Sequence, residues 1–422
     1  AGVFFGELTG QHDLVTFDMG GTTAKICVIK NGKPTMTNSF EIARVHRFKR
    51  GSGLPVRIPA VELIEIGAGG GSIARVNELG LLKVGPDSAG AEPGPACYGL
   101  GGTEPTVTDA DLLLGYLNAD YFLGGRMTLD VQAAEAAMRR VAEPLGMSVT
   151  EAAHGIYRVV NESMISATRV HVAERGADSR RLYLMSFGGA GPVHTDAIAR
   201  TLKMKGYIVP IGAGVTSALG FLTAPISFDF ARTYIARLTT EHLAELEGVY
   251  AAMEQEGHAT LAKAGASESD MRFMRGADLR HIGQGHEITV ELPVGDLSAI
   301  GLEQIRETFF ARYEEIYGYA HRHLDLEIMT CRVTATSSKP TVKLSRVERD
   351  ADSPMRALKS KRRAFFLELG GFVETPVYDR YALRAGATFV GPAIVEERDS
   401  TAVIGLRAQV LVDAYLNLIV TL

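Results

Sequence analysis

The chain has 422 residues, 46% of them apolar, which is enough for two or three globular domains that each bury a core, and this excludes an intrinsically disordered protein. A formal net charge of −5 and a pI near 6.2 leave no basic footprint for a nucleic-acid backbone. Three scattered cysteines, Cys27, Cys97 and Cys331, form no C-x-x-C pair and suit a reducing cytoplasm, and every apolar run is broken before the roughly 18 residues of a membrane span.

The chain opens at 1-AGVFFGELTG, without Met and without the basic-then-apolar start of a signal peptide, as a fragment or processed product would. Residues 14–34, LVTFDMGGTTAKICVIKNGKP, predict strand, tight glycine turn, strand and hairpin, with Asn31-Gly32 as the hairpin turn. Because a strand follows the glycines, the loop is neither a Walker A loop nor a Rossmann fingerprint. The segments 66-IGAGGGSIARV-76 and 85–115 hold too many Gly and Pro residues for regular elements and predict loops whose backbone comes close to a ligand or another chain.

Helical spacing predicts a helix near Asp130–Leu145, with Val131, Ala134, Met138, Val141 and Leu145 on one face. A second is predicted from about Thr150 to Glu174, capped near Gly176. A strand 182-LYLMS-186 then runs into 187-FGGAGP-192, which opens a third helix ending near Lys203. Past about residue 235 the pattern changes to a Glu/Ala-rich helix, a half-exposed strand 287-EITVEL-292, an amphipathic helix from Leu302 to Ile316 and the segment 325–337. The charged stretch 344–363 predicts a linker or exposed loop, followed by a small β-rich module. The expected domains are therefore 1–235, 236–345 and 346–422.

Two glycine loops carry the candidate chemistry. In Asp18-x-Gly20-Gly21-Thr22-Thr23, glycines let backbone N–H groups crowd a phosphate, threonine hydroxyls add donors, and the carboxylate holds hydrated magnesium or orients water. The bland alternative is a tight hairpin with an incidental acid. Gly188-Gly189-Ala190-Gly191 reads either as a backbone ledge for an adenosine or as close helix–strand packing.

Other candidates have simpler structural explanations. His194 suits a hydrogen-bonded structural role better than proton transfer, and His321 and His323 lack a third metal ligand. Asp109 and Asp111 fit capping acids at a helix start, with a second cation site as the alternative. Cys97 has no adjacent base and fits a structural role better than a nucleophile's.

Taken in order, 17-FDMGGTTAK-25, 66-IGAGGGSIA-74, 88-SAGAEPGPACYG-99, 102-GTEPTVTDADLLLG-115, 187-FGGAGPVH-194, 283-GQGHE-287 and 391-GPAIVEERDSTAV-403 resemble the ATP-using subunit of the hydantoinase A / 5-oxoprolinase family, which includes the acetone carboxylase beta subunit. The resemblance runs from the first residues to the last. It implies an α/β, actin/hexokinase-like (ribonuclease-H-like) ATPase lobe, followed by a mixed α+β region and a small β-rich C-terminal module.

The resemblance also implies ATP and Mg²⁺. Asp18 would act on magnesium and the γ-phosphate, Gly20, Gly21, Thr22 and Thr23 would form the family's second phosphate loop, and Gly188, Gly189 and Ala190 would meet the adenosine. Family members carry an earlier lobe with another D-x-G-G-T loop, which does not occur in this sequence. The implied protein is thus part of an ATP-dependent cyclic-amide hydrolase subunit, inactive alone. It would need the first lobe in cis or as a separate chain, and a hydantoinase B-type partner, in an oligomeric cytoplasmic complex. The alternatives are the ATP-using subunit of a ketone carboxylase and a scaffold with a vestigial nucleotide site. A further expectation is that the 66–74 segment and the phosphate loop form a face that is exposed or covered by another copy.

Overall fold

The structure, a computed structural model, describes all residues except 38–39, 43–44, 46–50, 57, 294 and 351–352. The chain forms two compact units. One comprises Ala1–Leu222 together with Lys343–Leu422, the other Thr223–Val342.

The first unit is built on a sheet of nine strands among the described residues. At its centre the strand Leu14–Met19 pairs antiparallel with Ala24–Lys30 and parallel with Tyr183–Phe187. Asn31 and Gly32, with φ of 49° and 70°, turn the chain from Ala24–Lys30 into Lys33–Pro34, as the Asn-Gly signal predicts. The strand Tyr183–Phe187, the helix Gly191–Thr201 and the parallel strand Gly206–Val209 form a βαβ unit.

The central strand is apolar almost throughout because both its faces are covered. Val15, Phe17 and Met19 join one core with Ile156, Val160 and Ile198, while Leu14 joins another with Phe5, Ile29 and Met185. Asp18 therefore lies on the Leu14 face, at the open end of the strand. The predicted helices run Val131–Leu145, capped by Asp130, and Val149–Glu174, capped by a Ser148–Glu151 box. Gly176, with φ of 59°, follows the second helix.

Several sequence expectations change. The glycine-dense region does contain regular structure: Ser72–Val76 and Leu82–Ser88 pair antiparallel, and Val107–Leu113 is a helix. The C-terminal stretch is β-rich as expected, with a four-stranded sheet over residues 358–404, but it packs within the first unit. Its last strand, Leu418–Thr421, pairs with Gly206–Val209 and so extends the central sheet. The expected linker also includes the start of the strand Leu358–Phe366, whose Lys359 and Arg362 each lie 2.7 Å from the buried Glu396 carboxylate. Those two charges serve a buried acid that needs partners, while residues 344–350 form no helix or strand and are largely exposed, as expected of a linker or exposed loop.

The second unit is a four-stranded antiparallel sheet, ordered Ser227–Arg237, Leu326–Thr336, Arg272–His281, Ile288–Leu292. It begins at Thr223, ahead of the expected 236, because the strand Ser227–Arg237 pairs with Leu326–Thr336. Its core joins Leu246, Tyr250 and Met253 of the helix Leu243–Lys263 to Phe309 and Phe310 of the helix Leu302–Tyr317. The strand at 288–292 alternates buried and exposed residues, as its sequence predicts.

Candidate functional site

Parallel pairing sets Asp18 beside Phe187, so the glycine loops that follow these two strands emerge side by side. Ligands of open α/β sheets bind at this kind of position, beyond the carboxyl ends of adjacent parallel strands. The loops also touch. The Ala190 N–H donates to the Met19 carbonyl at 3.0 Å, and a Cβ on Gly188 would stand 2.5 Å from Asp18 Oδ1. Gly188 has φ of +82°, so both conformation and packing require glycine there.

The other glycines behave differently. A Cβ on Gly20 or Gly21 would meet nothing within 4 Å, and one on Gly189 would reach only Asp399 O at 3.4 Å. Gly21, Thr22 and Gly189 are exposed, while Asp18, Gly20, Thr23, Gly188 and Ala190 are partly so. Packing thus accounts for Gly188, whereas Gly20, Gly21 and Gly189 present bare backbone to open space.

Sequence reasoning missed the supports beneath the loops. The Gly70 and Gly71 N–H groups donate to the carbonyls of Gly20 (3.0 Å) and Gly21 (2.6 Å), and a Cβ on Gly69 would stand 2.6 Å from the Thr22 nitrogen. Ile66, Ala68–Ser72 and Ala74 are buried in this contact. The expectation of an exposed 66–74 face therefore fails: the segment is the floor of the phosphate-type loop, and its glycines permit that approach.

Ser217 Oγ donates to Asp18 Oδ2 at 2.9 Å and fixes the carboxylate. Glu397 accepts N–H groups of Gly212 (2.7 Å) and Ala213 (3.0 Å), and Ala213 in turn accepts the Gly188 N–H at 2.9 Å. The motif 391–403 contained Glu397, but only the fold brings it under Gly188. Ser217 carried no signal, as a serine outside any glycine motif.

The remaining candidates separate clearly. Asp109 caps its helix, accepting the Thr106 N–H at 2.9 Å and the Cys97 N–H at 2.8 Å. Asp111 is not a cap, because two residues further along the helix it faces inward. There its Oδ2 lies 3.4 Å from His194 Nε2, and burial raises its pKa while His194 opposes the rise. His194 is fully buried, bonded through Nδ1 to Asn161 Oδ1 at 2.8 Å and stacked on Tyr157, which is the structural role expected.

Burial and neighbouring Asp109 push the Cys97 thiol far above its ordinary range, so it is no nucleophile. His321 and His323 sit on an exposed turn. Among the described residues no three His, Cys, Asp or Glu side chains are grouped to hold a metal. A cavity of about 1390 Å³, lined by Phe40, Ile64, Val84 and His171 among others, does not include the Asp18 loop. No helix among the described residues is long and apolar enough to cross a membrane.

The hydantoinase/oxoprolinase family profile matches residues 1–230, and the hydantoinase/oxoprolinase C-terminal domain matches residues 236–419. The chain is 34% identical over 408 residues to the caprolactamase subunit alpha of Pseudomonas jessenii, covering 94% of this chain and 56% of that protein. It is 28% identical to the acetone carboxylase beta subunit of Xanthobacter autotrophicus, covering 95% of this chain and 56% of that protein.

Among solved structures, nucleotide-free acetone carboxylase superposes with a TM-score of 0.85 at 25% identity, covering 99% of this chain and 59% of that one. The ATP-dependent caprolactamase of Pseudomonas jessenii superposes with a TM-score of 0.79 at 32% identity, covering 100% and 60%. The chain thus spans less than two thirds of the length of these relatives. Its first unit has the actin/hexokinase-like fold expected from the resemblance. With both profiles matched in order along the chain, the protein belongs to the hydantoinase/oxoprolinase family.

Proposed function

We propose that this chain forms one side of an ATP site that activates a cyclic amide by phosphorylation. The observation that carries the reading is the meeting of two glycine loops beside Asp18, with Gly20, Gly21 and Gly189 open to solvent while Gly188 is closed by packing. In the reaction, the bond from the γ-phosphorus to the bridging oxygen breaks, and that oxygen leaves on ADP. A new P–O bond forms to the amide oxygen, turning a poor electrophile into an activated one. A hydantoinase B-type partner then opens the ring with water and phosphate is released.

Here Gly20–Thr23 would cradle phosphate oxygens and Gly188–Ala190 would lie along the adenosine. Magnesium asks for one or two carboxylates, with water and phosphate oxygens completing its shell. Asp18, half-buried with one oxygen oriented by Ser217, fits that demand. Bound there, the ion would neutralise charge between the β- and γ-phosphates.

The relatives' greater length motivates a further part of the reading. One lobe supplies only part of the donors and cannot shield the γ-phosphate from water, so the 422-residue chain alone is expected to bind ATP weakly and to lack substrate-dependent ATPase activity. Adding the further sequence the relatives carry, in cis or as a separate polypeptide, and the partner subunit should restore turnover in a cytoplasmic complex.

The test is ADP release by that assembly with hydantoins, 5-oxoproline and a caprolactam-type ring. Release stimulated only by simple ketones with bicarbonate would favour a ketone carboxylase instead, a second reading supported by the match to acetone carboxylase. No nucleotide binding by the assembly would leave a scaffold. Substrate-stimulated hydrolysis by the isolated chain would overturn the one-sided site.

A further inference from the structure

We infer that Lys25 is a ligand of the terminal phosphate, and that Glu65 holds its ammonium aside until the phosphate arrives. The inference rests on the nucleotide reading above and adds a side-chain cation to a loop to which that reading assigned an acid and the magnesium it would hold.

Strand register supplies the first argument. Asp18 stands opposite Lys25, and Lys25 stands opposite Glu65 on its other side, both in antiparallel pairs. Directly opposed residues carry their side chains on one face of a sheet. Acid, lysine and acid therefore form a row across three strands, on the face shared by Leu14 and Ile29 and at the end where the phosphate-type loop turns.

The ammonium is already at the loop. Lys25 Nζ donates to Thr23 Oγ1 at 2.8 Å and lies 3.4 Å from Glu65 Oε1. Both charged side chains are about half exposed, at 43% and 50%, and a pair so open contributes little to stability. Lysine has a flexible four-carbon stem and rotatable donors, so exchanging the Glu65 carboxylate for a phosphate requires only a side-chain swing.

Charge supplies the second argument. A terminal phosphate carries close to two negative charges at neutral pH, and a magnesium ion held by Asp18 would offset only part of them. A second cation on the same sheet face would offset the remaining charge in a way the neutral donors of Gly20–Thr23 cannot. It would act selectively on the last phosphate, because Lys25 borders the loop on the side away from the Gly188–Ala190 turn, where the adenosine is assigned.

The experiment measures affinities of the complete protein, first lobe and partner included, for Mg-ATP and Mg-ADP by calorimetry. The variants are Lys25→Met, Lys25→Arg and Glu65→Gln. Lys25→Met should weaken ATP by about tenfold or more, the loss of one charge-assisted contact, and leave ADP within about twofold. Lys25→Arg should recover part of the loss, and Glu65→Gln should leave ATP affinity equal or tighter. Equal loss for both nucleotides, no loss for either, or weaker ATP binding in Glu65→Gln would each overturn the inference. If the unaltered assembly binds ATP and these patterns fail, only the role of Lys25 falls; if it binds neither nucleotide, the nucleotide reading falls with it.

Discussion

Adjacent glycines 188 and 189 should respond in opposite ways to the same methyl group. An alanine at 188 would have to hold φ near +82°, which costs an L-residue roughly 1–2 kcal/mol. Its Cβ would also overlap the Met19 carbonyl and stand 2.5 Å from Asp18 Oδ1, so the backbone must shift. That shift loosens the Gly188 N–H bond to Ala213 and the Ala190 N–H bond to Met19, each worth about 1 kcal/mol. The sum is about 3–4 kcal/mol, which should lower the unfolding temperature of the first unit by at least about 5 °C. Gly189→Ala has no such strain, since its Cβ would make one ordinary 3.4 Å contact with Asp399 O, so its melting temperature should stay within about 2 °C of the parent. In the complete enzyme the second variant should instead weaken ATP binding. Differential scanning calorimetry of both variants checks the first claim, with the two units allowed separate transitions. Equal melting temperatures for the two variants would refute the assignment of Gly188 to packing and Gly189 to a ligand.

Asp18→Asn should keep the fold, shown by an unchanged circular dichroism spectrum, and lower ATP turnover of the complete enzyme by ~100-fold or more; near-normal turnover would remove Asp18 from the reaction path. In the second unit, His281 is buried against Phe309 and Tyr313, and desolvation first, then His321, Arg306 and His323, hold its pKa below the ordinary 6.5. The unfolded chain therefore takes up this proton first, so stability is fully present above about pH 6.5 and declines as pH falls toward the lowered native value. Urea midpoints between pH 7.5 and 5.5 should show a fall that His281→Leu reduces. Arg275→Met strands Glu247 and Glu254, bonded to it at 2.7 and 2.6 Å, and should cost about 3 kcal/mol in the same denaturation assay. Cys97 and Cys331 are buried, and burial raises the Cys331 thiol to about 11. Mass spectrometry after brief alkylation at pH 7.5 should find both unmodified in the native protein and labelled after denaturation.

Local pattern alone determined the hairpin at 14–34, the helices at 131–145 and 149–174, and the strand–turn–helix at 183–201. Each is encoded within a few residues, by β-branched runs, by Asn31-Gly32 and Gly188, or by apolar residues repeating at helical spacing. The ordered motifs likewise made the family and its fold legible before any coordinates. What those patterns do not contain is distance between remote segments. Asp18 and Gly188 meet only because Leu14–Met19 pairs parallel with Tyr183–Phe187 across a long intervening stretch. Gly69–Gly71 read as a loop whose backbone approaches a ligand or another chain, yet the fold buries them as a floor under Gly21 and Thr22. Asp109 and Asp111 read as two equal caps until packing turned one to the helix start and the other toward His194. The final strand Leu418–Thr421 joins the central sheet beside Gly206–Val209 for the same reason. A strand carries its alternation in its own residues, but its neighbour is chosen by which distant edge still has unpaired N–H and C=O groups, and that choice exists only in the assembled fold.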